Sequence, residues 1–288
     1  MQLDAGGSSN QVFQEGLAKP LVEQGYFLAC KSYPAEPISV HGSATTFLER
    51  QAVVVDVQRT TKNICIIKIK LHDQRNPFSY RGGQFINIWK NPDVIRSYSI
   101  ASPDNEDVLE LHVRRHSDGK FSEWAYSELS IGEKLNIQGP KGTCYYAEDC
   151  KQKPLQLYAI GTGLAPILGV LRTALSEGHS QQINLVAGAK DASDLYYIDE
   201  LVSLAEAHSN LDVTCIAMEG NIQPANRVKT VLTDFYSYAT DKEIFNPKAM
   251  TFVCGNESFV TKLRKRCFMA GADLANIRAD IFLRAASA

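Results

Sequence analysis

The chain has 288 residues, a length that sets a prior of about two domains. Hydrophobic residues make up 44% and charged residues 22%, the proportions of a folded chain rather than a disordered one. Thirty Lys and Arg against 32 Asp and Glu leave a formal charge of −2, which offers no general attraction for a polyanion and argues against a nucleic-acid role.

The start, MQLDAGGSSN, has neither a basic region nor an apolar core and does not read as a secretory signal. Pro154 to Leu171 is a long uncharged stretch, but its apolar run is broken at GTG. A buried strand, a turn and a helix explain it better than a membrane span. The seven cysteines are odd in number and widely spaced, with no CxxC, so a disulfide framework and a structural zinc site are both disfavoured. A reducing cytoplasm is the simplest compartment for such a chain.

Residues 1–45 are rich in Gly, Ser, Gln and Pro and show little periodicity; they are expected to form a remnant and linker rather than a domain. Residues 46–148 carry short β-type runs, AVVVDV, ICIIKIKL, QFINIW, SYSIA, VLELHV and KLNI, separated by polar turns. That spacing predicts a small antiparallel barrel, interrupted by one helix from about Phe121 to Leu129. YYAEDCKQKP (145–154) reads as a linker. From 149 to 288 the texture becomes strand–helix alternation, with strands at LQLYAI, INLVAGA, LDVTCIAM, TFVCG and a closing IRADIFL. This predicts an α/β domain with a parallel sheet covered by helices on both faces.

Four short motifs carry chemistry. A strand runs into Gly161-Thr162-Gly163, and a helix starts near Ala165 with Pro166 in its first turn. Glycines let the backbone approach a ligand, and the helix amides offer an anion site suited to a pyrophosphate. The alternative is a tight turn that binds nothing. In Arg96-Ser97-Tyr98-Ser99, the Arg can hold a phosphate and the Tyr can cover a flat ring, or both can be ordinary strand residues. Gly119-Lys120-Phe121-Ser122 precedes the predicted helix and can hold a second phosphate or serve only as a cap. Cys254-Gly255 ends a parallel strand, where ligands sit in open α/β sheets; a lone Cys is otherwise a small buried hydrophobe.

In this order the motifs resemble the ferredoxin–NADP reductase-like flavoenzymes. RSYS is similar to that family's flavin motif, GKFS to its second flavin-phosphate segment, GPKG (139–142) to its barrel-closing turn, and GTGLAP to its nicotinamide-nucleotide pyrophosphate loop. AGAKDASDLYY (187–197) is similar to the segment approaching the adenosine ribose, and CGN (254–256) to the one beside the nicotinamide. The resemblance spans about residues 48–284. It implies an FAD-binding barrel followed by an NAD(P)-binding domain. Arg96 would bind the FAD pyrophosphate, Tyr98 would pack on the isoalloxazine, and Ser99 would hydrogen-bond near flavin N5. Ser97 lies within the same flavin motif. His112 and Val113 would line the cofactor, while Gly119, Lys120, Phe121 and Ser122 would hold phosphate. Gly161 to Pro166 would take the NAD(P) pyrophosphate. Cys254 and Gly255 would sit beside the nicotinamide, with Phe282 covering the flavin face. Ser99 and Cys254 are then the implied catalytic residues, in hydride transfer from NAD(P)H to FAD and onward one-electron release.

QGYFLACKSYPAEPISV (24–40) resembles the end of a plant-type [2Fe-2S] ferredoxin domain, with Cys30 as an orphan ligand position. The other three ligands are absent, so no cluster is expected in this chain. Its order resembles the reductase components of aromatic and alkane oxygenases. The implied partner is a ferredoxin-like carrier or an oxygenase. Lys190 could hold a 2′-phosphate and Asp191 would repel one; with no second cation beside Lys190, NADH is expected, and NADPH stays open. A decayed reductase serving as a non-catalytic binding or regulatory subunit is the alternative function.

Overall fold

Alternation of apolar and polar residues, broken by Gly, Asn and Pro, makes the first half of the chain a set of strands. The computed structural model describes residues 2–3, 40–41, 49–71, 78–104 and 106–283. Residues 1–48 form a unit of their own. Its described part is a short antiparallel ladder, β1 (Gln2–Leu3) on β2 (Val40–His41). Cys30 and most of the ferredoxin-like segment lie outside the described residues.

The second unit, residues 49–288, opens with six antiparallel strands: β3 (Arg50–Thr61), β4 (Ile64–Leu71), β5 (Phe85–Asn91), β6 (Val94–Ser99), β7 (Val108–Arg114) and β8 (Lys134–Lys141). Their order is β6-β5-β8-β3-β4-β7. A bridge between Ile100 and Leu111 joins the two edges, so the sheet closes into a barrel. Ile67, Ile86, Ile88, Leu109, Leu111 and Ile137 fill it. Helix α1 (Lys120–Ser127) caps the core with Phe121 and Ala125 and ends two residues before the predicted boundary, with Glu128 as its cap.

Six parallel strands follow: β9 (Leu155–Ile160), β10 (Ile183–Asp191), β11 (Leu211–Glu219), β12 (Val228–Leu232), β13 (Met250–Asn256) and β14 (Ile277–Phe282), in the order β12-β11-β10-β9-β13-β14. Helices α2 (Leu164–Ser176) and α3 (Ile198–Ala207) cover one face; α4 (Phe235–Ala239) and α5 (Glu257–Met269) cover the other. Burial on both faces explains the largely apolar run of β9, whose polar Gln156 is buried and donates to the Ile244 carbonyl. Strand β12 and helix α4 were not anticipated. They are five residues each, in a stretch rich in Asn, Thr and Pro, and β12 is an edge strand with only Val228 fully buried.

Strand order reverses at β9, with β10 on one side and β13 on the other. The crevice of such a sheet opens at the carboxyl ends of those strands. The barrel meets the sheet through α2. A methyl group on Gly169 would lie 2.3 Å from the Gly83 nitrogen and 2.5 Å from the Ile100 carbonyl oxygen. Helix and barrel therefore touch backbone to backbone, which only glycine permits. Among the described residues no helix is long and apolar enough to cross a membrane.

Candidate functional site

The crevice is built from the ends of β9 and β13. Strand β9 turns through Gly161–Gly163 into α2, and Gly161 takes a left-handed φ of +52°. A Cβ on Gly163 would sit 2.2 Å from the Cys254 carbonyl oxygen, so any side chain there would force the two strand ends apart. Gly161, Leu164, Ala187, Gly188, Asp194, Leu195 and Tyr196 line a small recess beside the turn. Thr162, within the turn, is half-buried.

The barrel contributes β6. Its alternation places Arg96 and Tyr98 half-buried on one face; Ser97 is exposed and hydrogen-bonds to Asn87. The Tyr98 ring lies 5.2 Å from that of Phe121. On the other face Ser99 is buried and donates from Oγ to Oδ2 of Asp280 at 2.8 Å. Asp280 belongs to β14 and stands in register with Cys254 on β13. The RSYS strand of the barrel and the CG strand of the parallel sheet therefore meet through one carboxylate. Burial pushes the Asp280 carboxyl above its ordinary value, with the Ser99 hydrogen bond opposing.

Residues 51–146 match the oxidoreductase FAD-binding domain, and residues 157–265 match the oxidoreductase NAD-binding domain. The reductase component, ferredoxin–NAD(P)(+), of the naphthalene 1,2-dioxygenase system of Pseudomonas putida is 27% identical over 97% of this chain and 83% of its own. Among solved structures, a cytochrome P450 reductase from Amycolatopsis aligns with a TM-score of 0.74 at 24% identity, over 98% of this chain and 84% of that one. A ferredoxin NADP+ reductase from Neisseria gonorrhoeae with bound FAD and NADP aligns at 0.69 and 16%, over 81% and 98%. The chain carries an oxidoreductase FAD-binding domain followed by an oxidoreductase NAD-binding domain, and its relatives are ferredoxin–NAD(P) reductase components. FAD and NAD(P)H are its cofactors.

The residues present fit both groups. The reductase offers a glycine turn into a helix for one pyrophosphate. It offers the half-buried Arg96 guanidinium, which donates to the neighbouring Ile95 carbonyl, for the other. A further cation was not anticipated: Arg114, at the end of β7, donates to Asp194 at 2.7 Å. Its Nη1 lies 3.3 Å from where a Gly161 Cβ would be. The barrel thus places a guanidinium beside the nucleotide turn. The doubled Arg of LHVRRH was the signal in the sequence.

His112 lies on β7. It is buried, its Nδ1 2.7 Å from the Tyr196 hydroxyl and its Nε2 3.1 Å from Glu110. Burial lowers the His112 pKa, against the pull of Glu110, so the ring is neutral. The arrangement that satisfies all partners has Tyr196 donating to Nδ1 and Nε2–H donating to Glu110. Arg172, on α2, joins the same cluster through Glu110, Glu200, Tyr197 and the Ala101 carbonyl. Burial alone would raise the Glu110 pKa; the hydrogen bond from His112 and the charge of Arg172 outweigh it and hold the carboxyl down, at about 2. Tyr197 takes a left-handed φ of 66° to reach this cluster. Val113 and Phe121 belong to the barrel core, and Ala165 and Pro166 are buried within the first turn of α2. The Ser122 hydroxyl accepts from His116 N–H and lies 3.5 Å from the Gly119 carbonyl, fixing the turn before Lys120. Lys120 itself opens α1.

At the far end of β10, Lys190 is exposed and pairs with Glu219 at 3.3 Å. Asp191 accepts from Ser193 N–H, which lowers its pKa, and stands in register with Glu219. Gly255 follows Cys254, and a Cβ there would meet Ile160 at 2.6 Å. Phe282, half-buried, ends β14 opposite Asn256. The Cys254 thiol is buried and lies 3.5 Å from that of Cys144.

Proposed function

We propose that this chain takes hydride from NADH onto FAD and passes electrons singly to a carrier protein or an oxygenase component. The observation that carries this reading is the Ser99–Asp280 hydrogen bond, with Cys254 in register beside it: the flavin-motif strand and the nicotinamide-motif strand share one cleft. The two oxidoreductase domains and the relatives' names, reductase components of oxygenase systems, support it. No observation favours the non-catalytic alternative.

Bound FAD supplies the hydride acceptor and the conversion from two-electron to one-electron steps. The chain supplies position and electrostatics. Arg96 neutralises the FAD pyrophosphate and Tyr98 covers a flat ring face. Ser99, whose one hydroxyl hydrogen goes to Asp280, is fixed in its rotamer and would offer the reacting edge a hydrogen-bond acceptor. Gly161–Gly163 and the first turn of α2 receive the NADH pyrophosphate. Arg114 exchanges Asp194 for that anion when the nucleotide enters. Gly163 brings the Cys254 strand close, and Phe282 borders the same end of the sheet. Lys120 stands at the α1 N-terminus for phosphate. Asp191 and Glu219 place two carboxylates where a 2′-phosphate would lie and leave Lys190 already paired, which favours NADH.

The test is steady-state reduction of ferricyanide by FAD-loaded protein with each nucleotide. The expected result is a kcat/KM at least about tenfold higher for NADH, or about 1.4 kcal/mol. Equal efficiencies would remove the NADH assignment, and no reduction with either nucleotide would remove the catalytic one.

A further inference from the structure

Two thiols meet inside the molecule, one of them on the strand that the hydride-transfer reading sets beside the nicotinamide. Cys254 is the fifth residue of β13, held on both sides by parallel pairing to Ala159 and Asp280. Cys144 lies 110 residues earlier, on the irregular segment that leaves the barrel after β8. Both are buried, and their sulfurs are 3.5 Å apart. A disulfide needs about 2.05 Å, so each sulfur is already in contact with its partner and about 1.5 Å of approach remains. The Cys254 strand is held by pairing on both sides and by the close approach of its carbonyl to Gly163. The approach falls to the Cys144 segment, which has no ladder to break.

We propose that Cys144 and Cys254 form a reversible disulfide when the protein meets hydrogen peroxide, closing the hydride site. The step balances with peroxide as the oxidant. One thiolate attacks a peroxide oxygen, breaking the O–O bond and giving a sulfenic acid and one water after proton uptake. The second thiol then displaces the sulfenic oxygen as a second water, and the S–S bond forms. The two sulfurs give up two electrons in all, and both thiol protons leave in water. The partner thiol at contact distance captures the sulfenic acid before further oxidation. Burial raises the Cys254 thiol well above its ordinary value, so few thiolates exist at neutral pH, and the reaction is slow and accelerates as pH rises.

The cross-link ties the barrel's exit segment to the strand that faces the nicotinamide and removes the Cys254 side chain from it. This loss of activity rests on the proposed function; the cross-link itself does not.

The experiment treats FAD-loaded protein with hydrogen peroxide, alkylates remaining thiols and maps peptides without reduction. The expected result is one peptide pair joining Cys144 to Cys254, two hydrogens lighter than the free pair. Anaerobic flavin bleaching by NADH should slow at least tenfold with FAD retained, and dithiothreitol should restore it. Cys144→Ala should bleach at the untreated rate and show no reversible loss. Should that variant fold poorly, the mapping and dithiothreitol recovery in the unaltered chain decide alone. Peroxide that leaves both thiols alkylatable, or that yields Cys254 sulfinic acid with no cross-linked peptide, overturns the proposal. A cross-link with unchanged bleaching keeps the disulfide site and overturns the closing of the hydride site.

Discussion

Asp280 is a carboxylate placed where burial works against its charge. Its raised pKa means that it stabilises the fold most below the usual Asp value, and that this contribution is lost as pH rises through the raised one. Asp280→Asn keeps an acceptor for Ser99 and removes the buried charge. The expected outcome is unchanged or higher thermal stability at neutral pH, with flavin reduction slowed about tenfold, roughly 1.4 kcal/mol. Ser99→Ala should slow it comparably while FAD stays bound. Glu110 has the opposite sign: its depressed pKa gives stability present above the usual Glu value and lost as pH falls toward about 2. Glu110→Gln leaves Arg172 buried with one partner fewer, at a cost of about 3 kcal/mol, and should flatten the acid limb of a stability-versus-pH curve. Arg114→Ala should raise the KM for NADH about tenfold with FAD occupancy unchanged, since the guanidinium serves the nucleotide turn and not the flavin strand. The residues legible in the sequence were those under local constraint: glycines at a turn, a Pro in a first helical turn, an Arg and a Tyr alternating on a strand. The partners of Ser99, His112 and Cys254 were not legible, because Asp280, Tyr196 and Cys144 lie 181, 84 and 110 residues away.

Among the elements, α2 does two tasks. Its N-terminus faces the crevice and its middle lies on the barrel. The contact of Gly169 with Gly82 and Gly83 is between backbone atoms, so neither side can yield by changing a rotamer. Gly169→Ala should destabilise the reductase by about 3 kcal/mol through overpacking. A fall of several degrees in the melting midpoint would show it, whereas unchanged stability would mean that the helix can move off the barrel freely. Strands were legible where period-two alternation or an apolar run was strong: Ile64–Leu71 and Leu155–Ile160 lie where the sequence put them. Val228–Leu232 was not, because an edge strand buries little and carries little pattern. Gly169 gave no signal of its own, because nothing local to it shows what lies across.

At the scale of the whole molecule, the barrel and the parallel sheet form one unit, joined by Ser99–Asp280 at the cleft and by the Glu110–His112–Arg172 cluster behind it. The order of motifs announced both folds; the Ser99–Asp280 hydrogen bond between the two sheets supports the proposal that the two cradles open on the same side. That arrangement is the central claim, and direct hydride transfer tests it. FAD-loaded protein is mixed anaerobically with NADH carrying deuterium at the transferred C4 position, and flavin absorbance is followed through a single turnover. The account expects the flavin to bleach, more slowly with deuterium than with hydrogen. Tight binding of both FAD and NADH with no bleaching would contradict it.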